Sequence, residues 1–284
     1  MIKTYYALTK PGIIYGNVLT ATAGFLLASK GHINGWLLLA TVAGTSLVIA
    51  SACVFNNYID RGIDAKMART SKRALVEGTV RGRNAIIYAS LLSVAGFTLL
   101  IAYTNLLVVV IGLAALFDYV VLYGLAKRRS VHGTLVGSIA GAAPVVAGYC
   151  AVTGRIDAGA LILFLILASW QMPHFYAIAM YRFDDYKAAG LPVLPVKSGM
   201  RATKIQIMLY ISAFITANAL LSVFGYTGYT YLVIMALLAI IWLRKGAQGF
   251  KKINDKLWGR QMFLFSLIII LSLSVTLSAS PLLP

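Results

Sequence analysis

Three polar side chains, Asn56, Asp60 and Asp64, recur at every fourth position of a stretch that follows a long apolar run. Residues four apart are neighbours on an α-helix, so on a helix these three would share one face. Carboxylate and amide oxygens are hard ligands that suit Mg²⁺, which usually completes its coordination shell with water and substrate phosphate. We call these three residues the acidic stripe and predict that they hold Mg²⁺ and take part in catalysis. An ordinary solvated loop is the alternative interpretation.

Basic side chains follow the acidic stripe directly, at Arg69, Lys72 and Arg73. Guanidinium groups offer paired donors to phosphate oxygens, and ammonium groups act on phosphate as point charges. Acids and bases in one short segment suit an anion that is held partly through a metal ion and partly by direct contact. We predict that these bases bind a diphosphate, while the same residues would also be expected in an ordinary loop that faces the cytoplasm.

Four more polar residues lie where long apolar runs begin or end: Tyr123, Lys127 and Arg128 after one run, and Lys10 before another. All four are placed at a charged membrane boundary, from which they are able to reach the same diphosphate. Anchoring of the apolar runs at the membrane interface is the alternative for each of them. We place Lys127, Arg128 and Lys10 in the predicted diphosphate site and Tyr123 in the substrate pocket.

The elements that must position these residues are membrane-spanning helices. The chain of 284 residues is 60% hydrophobic and only 12% charged, whereas soluble domains are about 25% charged. Its apolar runs are long enough to cross a hydrocarbon core, which takes about 20 helical residues, and they lack the alternating pattern of β-barrel strands. We predict an all-α integral membrane protein with nine spans in one bundle, at residues 13–29, 36–57, 84–103, 105–125, 133–152, 159–181, 205–225, 227–243 and 261–280.

Charge is distributed unevenly over the segments between the predicted spans. The net charge is +17, and all but two of the 25 Lys and Arg residues, Lys30 and Arg155, fall in alternate segments. Basic segments stay in the cytoplasm, so we predict a cytoplasmic N-terminus, a C-terminus outside and an active site that faces the cytoplasm. The positive charge is then a topology signal and an attraction to anionic lipid, and nucleic acid is excluded as a partner.

The start of the chain, Met1-Ile2-Lys3, has no cleavable signal pattern, and no transit peptide precedes the first predicted span. We therefore predict the bacterial plasma (inner) membrane as the location. Polar stretches with acids follow the second and sixth predicted spans. This spacing suggests a single domain, 1–284, built from two four-helix halves at about 13–125 and 133–243 with a ninth helix at 261–280.

The acidic stripe, with Met67-Ala68-Arg69-Thr70 after it, resembles the first signature of the UbiA-type membrane prenyltransferases. Further stretches narrow the resemblance to the branch of this family that farnesylates haem. One such motif would be weak evidence, but six in order over nearly the whole chain are specific. The further stretches are Thr9–Ile13, Tyr123–Arg128, Gly137–Pro144, Trp170–His174 and Asp185–Pro195.

This resemblance implies an Mg²⁺-dependent prenyltransferase with a central pocket that opens toward the cytoplasm. It implies transfer of a farnesyl group from farnesyl diphosphate to a vinyl group of haem b, with addition of water, to give haem O and diphosphate. A haem A synthase or a terminal oxidase is implied as a downstream partner. Two alternatives remain open: a sister enzyme that prenylates an aromatic quinone precursor, and a transporter whose intramembrane polar residues mark a permeation path.

Asp184 and Asp185 follow the predicted sixth span and mirror the acidic stripe. In the wider family this position carries two carboxylates one helical turn apart, whereas here Tyr181 stands one turn before Asp185. The second metal-binding half therefore resembles the reduced form of the haem branch. We place Asp185 among the metal ligands and the residues of the substrate pocket, and polarity at a helix end is the alternative for both acids.

Intramembrane polar residues complete the set of candidates. Ionisable residues inside a membrane are functional by default, and imidazole is a common ligand of haem iron. We therefore place His174 and the neighbouring Trp170 in the substrate pocket, with a hydrogen-bonded core histidine as the alternative. Asp118 lies within the predicted fourth span, where a carboxylate costs roughly 2.5–3.5 kcal/mol, and we assign no role to it.

Overall fold

The computed structural model describes residues 1–251 and 254–282, and every regular element within these residues is a helix. In this described part of the chain, nine helical segments are long and apolar enough to cross a membrane, which confirms the predicted fold class and number of spans. In chain order, the first to ninth spans are Pro11–Ser29, Gly35–Asp64, Gly82–Tyr103, Leu106–Arg129, Gly133–Thr153, Ala158–Tyr181, Leu194–Val223, Tyr229–Lys251 and Asp255–Leu282.

The second span, Gly35–Asp64, continues well past the position where its hydropathy falls. It has 30 residues and is therefore about 45 Å long, against about 30 Å for a hydrocarbon core. Hydropathy marks contact with lipid and not the end of backbone hydrogen bonding, so the helix continues seven residues beyond the predicted span, which ends at residue 57. The acidic stripe consequently lies on the last turns of a continuous helix, beyond its most apolar part.

Two spans depart from regular α-helix near the end of the bundle where the basic residues gather. In the fourth span, the helix Leu106–Phe117 passes into a π-helix, Asp118–Leu122, and then into a second α-helix, Tyr123–Arg129. In the seventh span, Gly199 has a φ of 82°, a value that glycine adopts readily because it lacks a Cβ. The long uninterrupted part of the seventh span therefore begins after Gly199.

Short helices and turns connect the spans at this basic end. The helix Ile2–Leu8 precedes the first span, and the helix Phe183–Ala188 follows the sixth and carries Asp184 and Asp185. Residues 65–81 form a series of turns after the second span. The hydroxyl of Thr70 donates to the backbone carbonyl of Asp64 at 2.9 Å, so this loop folds back onto the acidic stripe.

The first span packs against the second, fifth and ninth spans. A Cβ at Gly24 would overlap the backbone carbonyl of Val145 in the fifth span, and a Cβ at Gly148 would overlap that of Ala21 in the first. Small residues permit such close approach of membrane helices, whose association depends on van der Waals packing. The first and fifth spans thus join the two predicted four-helix halves, and the division into halves stays a prediction.

Apolar side chains divide between the interior of the bundle and its outer surface. Among the large side chains that are fully buried are Phe25, Leu163, Ile166, Phe214 and Trp242. Others are more than half exposed, such as Leu91, Leu113, Leu161, Leu209 and Leu237. An apolar outer surface of this extent is expected where lipid, and not water, surrounds the helices.

Candidate active site

The acidic stripe is buried, with Asn56, Asp60 and Asp64 only 5%, 7% and 3% exposed. The amide Nδ2 of Asn56 donates to Asp60 Oδ2 at 2.9 Å. Two buried carboxylates on one helix face are unfavourable unless cations compensate their charge. The compensating side chains come from three separate parts of the sequence, and all of them are among the predicted diphosphate ligands: Lys10, Arg73, Lys127 and Arg128.

Asp60 is held by the end of the fourth span. Lys127 Nζ forms an ion pair with Asp60 Oδ2, and Arg128 Nη2 lies 3.1 Å from Asp60 Oδ1. Arg128 Nη2 also donates to the backbone carbonyl of Ile59 at 2.8 Å. Charge-assisted hydrogen bonds are the strong ones, so these contacts fix the fourth span against the end of the second.

Asp64 is held by the loop that follows it. Arg73 Nη1 lies 2.6 Å from Asp64 Oδ2 and donates to Asn57 Oδ1 at 3.1 Å. Asn57 Nδ2 in turn donates to the backbone carbonyl of Leu8 at 2.8 Å. The loop, the second span and the short N-terminal helix are therefore joined by one continuous set of hydrogen bonds.

Lys10 reaches the first residue of the stripe. Its Nζ donates to Asn56 Oδ1 at 2.7 Å, and its backbone lies in the left-handed region with φ 53° and ψ 67°. A non-glycine residue there costs of order 1–3 kcal/mol. Burial lowers the pKa of Lys10 to about 8, and Arg73 and Lys127 act in the same direction while Asp60 opposes them. A strained backbone thus accompanies an ammonium group that is directed into the cluster.

Cations outnumber acids in this cluster. Four cationic side chains, from Lys10, Arg73, Lys127 and Arg128, accompany two carboxylates. The side chains of Arg73 and Lys127 are only 27% and 14% exposed, so water screens their charge incompletely. An excess of positive charge on partly buried side chains attracts anions. The cluster, which we call the cation-rich cluster, therefore suits an anion with several negative charges, such as a diphosphate.

Two tyrosines of the fourth span line this cluster. The rings of Tyr119 and Tyr123 stack with centroids 5.4 Å apart, and Lys127 Nζ lies 4.8 Å from the centroid of Tyr123. Gly137 in the fifth span makes room for Tyr123, since a Cβ at residue 137 would lie 2.8 Å from the Tyr123 ring. Tyr119 belongs to the π-helix, an element that is rare overall and frequent at functional sites. Aromatic and cationic groups are thus combined on one helix.

Arg69 and Lys72 are exposed on the loop 65–81. Within the part of the chain that the structure describes, no carboxylate pairs with either of them. Burial raises the pKa of Tyr186 in the short helix after the sixth span, Arg69 opposes this rise, and Asp185 adds to it. The loop after the second span and the short helix after the sixth therefore approach each other at Tyr186.

The two acids of that short helix differ in their surroundings. Asp184 is exposed and forms an ion pair with Lys256 of the ninth span. Asp185 is half-buried and adjoins Tyr186. Its predicted roles as a metal ligand and as a residue of the substrate pocket stay predictions.

Trp170 and His174 form a separate group between the sixth and ninth spans. Their rings stack at a centroid distance of 4.7 Å, and the ring of Phe263 lies 5.1 Å from that of His174. Trp170 Nε1 donates to the backbone carbonyl of Ser266 at 2.9 Å. No hydrogen bond or ion pair among residues 1–251 and 254–282 joins this group to the acidic stripe.

His174 Nδ1 is hydrogen-bonded to Ser266 Oγ at 2.7 Å, and the direction of this bond depends on the tautomer of the imidazole. Ser266 Oγ also lies 2.6 Å from the backbone carbonyl of Phe263, and with its proton directed there it is the acceptor toward Nδ1. In the neutral imidazole the proton is therefore on Nδ1, and Nε2 keeps its lone pair. That nitrogen is able to bind a metal ion or to accept a hydrogen bond.

Asp118 is buried at the start of the π-helix. Its Oδ2 accepts a hydrogen bond from the backbone N–H of Ala140 at 3.2 Å, while its Oδ1 has no hydrogen-bond partner in the described residues. A half-satisfied buried carboxylate is costly when it is ionised. No hydrogen bond or ion pair with the cation-rich cluster accompanies this cost in the described structure, and we assign no role to the residue.

The donors of the acidic stripe fit a hard divalent cation. Two carboxylates and an amide lie on one helix face, and Mg²⁺ prefers oxygen ligands. Among the residues that the structure describes, no three His, Cys, Asp or Glu side chains come together in an arrangement that would hold a metal ion by themselves. A bound ion would therefore draw on Asn56 and on oxygens of the substrate in addition to the two carboxylates.

Three residues near the acidic stripe are not among the sequence candidates: Asn57, Tyr119 and Tyr186. Tyr119 stands four residues before Tyr123, so helical spacing alone would place both on one face. Asn57 contacts the carbonyl of Leu8, 49 positions away, and no local pattern indicates such a partner. Tyr186 meets the site only because two loops converge on it.

Comparison with known proteins gives relatives along the whole chain. The sequence profile of the UbiA prenyltransferase family matches residues 17–268. A protein named protoheme IX farnesyltransferase from Photorhabdus laumondii subsp. laumondii is 52% identical over 285 residues, which cover 100% of this chain and 97% of that protein. A protein of the same name from Yersinia enterocolitica is 54% identical over 279 residues, which cover 98% of this chain and 94% of that protein.

Solved structures resemble this chain at much lower sequence identity. A structure of digeranylgeranylglyceryl phosphate synthase has a TM-score of 0.81 at 20% identity and covers 99% of this chain and 98% of its own. A UbiA homologue from Archaeoglobus fulgidus, bound to GPP and Mg²⁺, has a TM-score of 0.74 at 16% identity, and the match covers 97% of this chain and 99% of that structure. At these identities the likeness concerns the arrangement of the helices.

Proposed function

This chain belongs to the UbiA prenyltransferase family, and we propose that it transfers a farnesyl group from farnesyl diphosphate to a vinyl group of haem b, with addition of water. The products are haem O and diphosphate. The observation that carries the proposal is the cation-rich cluster around the acidic stripe. Support for the substrates comes from the full-length relatives that are named protoheme IX farnesyltransferase.

The diphosphate group belongs at the cation-rich cluster. Lys10, Arg73, Lys127 and Arg128 provide its charge partners, and Arg69 and Lys72 lie on the adjoining loop without carboxylate partners in the described structure. The farnesyl chain then extends along Tyr119, Tyr123 and the apolar faces of the spans. In this arrangement the charged headgroup of the substrate stays at the membrane boundary, and only hydrocarbon enters the bundle.

We propose that Asn56, Asp60 and Asp64 hold Mg²⁺ together with the diphosphate, and that Asp185 is a further ligand. When bound, the ion would neutralise charge on the diphosphate. In the free protein the same carboxylates face Lys127, Arg128 and Arg73. Because phosphate oxygens compete for these bases, binding of the substrate frees the carboxylates to act as ligands.

The bases of the cluster stabilise the leaving diphosphate. Negative charge develops on it as the allylic C–O bond breaks, and fixed cations in a site with little water are effective at that moment. The first carbon of the farnesyl group bonds to the outer vinyl carbon of haem, which leaves positive charge on the carbon beside the pyrrole. Water adds to that carbon and loses a proton, so a hydroxyethyl-farnesyl substituent results.

His174 is our candidate for contact with haem. The bare Nε2 that follows from the hydrogen bond to Ser266 is a suitable ligand for haem iron. Trp170 stacks on this ring, and Phe175 lies edge-on to it with centroids 5.1 Å apart. Such aromatic walls would also keep water from the allylic cation before the vinyl group captures it.

The location of the active site follows from the distribution of charge. We propose that the chain lies in the bacterial plasma (inner) membrane with its basic end, and hence the cation-rich cluster, in the cytoplasm. This orientation puts the N-terminus inside and the C-terminus outside. A haem A synthase or a terminal oxidase as the next partner stays a prediction.

The direct test is to incubate the detergent-solubilised protein with haem b and farnesyl diphosphate, with and without Mg²⁺, and to measure the masses of the porphyrin products by mass spectrometry. We expect a metal-dependent product that is heavier than haem b by one farnesyl group and one water. Unchanged haem together with prenylation of a hydroxybenzoate would move the chain to the sister branch. If neither reaction gives a product and labelled substrate accumulates in sealed vesicles, the result would indicate a transporter.

A further inference from the structure

A polar cavity lies at the basic end of the bundle, among the ends of the seventh, eighth and ninth spans. It has a volume of about 540 Å³ and is lined by Met200, Arg201, Lys204, Phe250 and Asp255. This volume is many times the roughly 30 Å³ that one water molecule occupies. None of its lining residues takes part in the cation-rich cluster, whose side chains come from the first, second and fourth spans and adjoining loops.

Lys204 forms the inner wall of this cavity and is almost fully buried, at 7% exposure. Its Nζ lies 2.5 Å from Asp255 Oδ1 and donates to the backbone carbonyl of Gly249 at 2.9 Å. The same ammonium group lies 5.5 Å from the centroid of the Trp258 ring. Lys204 thus joins three spans through one ion pair and one hydrogen bond, and its ammonium group lies at the wall of the cavity.

The cavity carries a net positive charge. Lys204 and Asp255 neutralise each other, whereas Arg201 is exposed and has no carboxylate partner in the described structure. Arg201 and Lys204 are three positions apart, so they share a face of the seventh span. Both lie in the first turns after Gly199, where the helix restarts, and the N-terminal end of a helix favours an anion.

The remaining walls are apolar and partly exposed at the outer surface of the bundle. Met200 lines the cavity beside Arg201, and Phe250 lines it from the eighth span while 46% of its own surface is exposed. Leu257, in the first turn of the ninth span, is 52% exposed. An occupant would therefore meet cationic donors at one end and exposed apolar side chains at the other.

We propose that this cavity binds the phosphate headgroup of an anionic phospholipid. Basic pockets between the inner ends of membrane helices recognise such headgroups, and a phosphate diester matches one guanidinium group together with one ammonium N–H. The acyl chains extend past Met200 and Phe250 into the surrounding bilayer. The inference does not depend on the proposed catalytic activity, because none of the lining residues is assigned to the reaction.

The test is native mass spectrometry of the full-length protein in detergent, titrated with phosphatidylglycerol, phosphatidylcholine or inorganic phosphate. The variant is Arg201→Gln, and Arg260→Gln is its control because Arg260 is also exposed at the basic end but does not line the cavity. We expect wild-type protein to retain phosphatidylglycerol in preference to phosphatidylcholine. Arg201→Gln should weaken that retention about fivefold, whereas Arg260→Gln should leave it unchanged.

Three results would overturn the proposal. An equal loss of phosphatidylglycerol retention in Arg201→Gln and Arg260→Gln would mean that the basic surface attracts lipid without a specific site. Displacement of phosphatidylglycerol by inorganic phosphate at equal concentration would mean that the cavity recognises a free anion and not a lipid. Displacement by haem b, with haem retention itself weakened in Arg201→Gln, would assign the cavity to the propionates of a porphyrin.

Discussion

Lys127 of the fourth span is paired with Asp60 of the second, at the centre of a cluster in which cations outnumber carboxylates. The pair joins one residue predicted to bind a metal ion with one predicted to bind diphosphate. In the free protein Lys127 therefore occupies the position that the metal ion would take beside Asp60, and Asp60 occupies the position that the diphosphate would take beside Lys127. Substrate binding has to exchange this internal ion pair for contacts with the diphosphate and its counter-ion.

Replacement of Asp60 by Asn should abolish turnover. The change keeps the size of the side chain but removes the charge that holds Lys127 and Arg128 and that we assign to the metal. We expect farnesyl transfer to fall at least about 100-fold, measured as haem O formed per mole of protein in quantified membranes. Asp184→Asn is the control, because Asp184 is exposed and pairs with Lys256. Retained turnover in Asp60→Asn would contradict the assignment of Asp60 as a catalytic residue and metal ligand.

Removal of divalent metal should stop the reaction reversibly. We expect EDTA to abolish haem O formation and added Mg²⁺ to restore it. Asp64→Asn should raise the Mg²⁺ concentration needed for half-maximal rate by about 10–100-fold, since a ligand loses its charge. Glu77→Gln is the control, because Glu77 lies exposed on the loop after the second span. An identical Mg²⁺ requirement in wild type and Asp64→Asn would contradict the assignment of Asp64 as a ligand.

Replacement of His174 by Ala should change how haem is bound. If Nε2 contacts the iron, its loss alters the visible absorption spectrum of bound haem b, because the axial ligand sets the electronic state of the metal. Binding of farnesyl diphosphate should be unaffected, since no described hydrogen bond or ion pair links His174 to the cation-rich cluster. His32→Ala provides a matched histidine at an exposed position. A spectrum identical to that of the wild type would leave His174 as a core residue bonded to Ser266.

Replacement of Gly148 by Ala should destabilise the bundle. The added methyl group would overlap the backbone carbonyl of Ala21 in the first span and lie 3.1 Å from the Phe25 nitrogen. Overpacking of this kind typically costs about 1–3 kcal/mol, which should appear as a lower midpoint of thermal unfolding in detergent. Gly16→Ala is the control, because a Cβ at Gly16 meets no atom within 4 Å. Equal midpoints for the two variants would show that the first and fifth spans separate easily.

Features that depend on local periodicity were predictable from the sequence. The nine spans follow from runs of apolar residues, and the shared face of Asn56, Asp60 and Asp64 follows from their spacing of four. The basic residues of the cluster were also identifiable as a group, because each lies at a membrane boundary. Local pattern therefore fixed which residues are candidates, but not which of them meet.

Partners that are distant in sequence were not predictable. Lys10 meets Asn56 across 46 positions, and Lys127 meets Asp60 across 67, and no periodicity connects such pairs. The tautomer of His174 depends on Ser266, which is 92 positions away. The π-helix in the fourth span also leaves no mark in hydropathy, because one extra residue per turn does not change the apolar composition. These features result from how the spans pack together.

The close contact of Gly24 with Val145, and of Gly148 with Ala21, bears on how the protein is made. The first span leaves the ribosome early, at a rate of roughly 5–20 residues per second, and its partner in the fifth span follows only after three further spans have been synthesised. Until then the first span has no surface shaped to receive its glycine face. A nascent chain that ends before the fifth span therefore inserts into the membrane with the glycine face of its first span still unpaired with Val145 and Gly148.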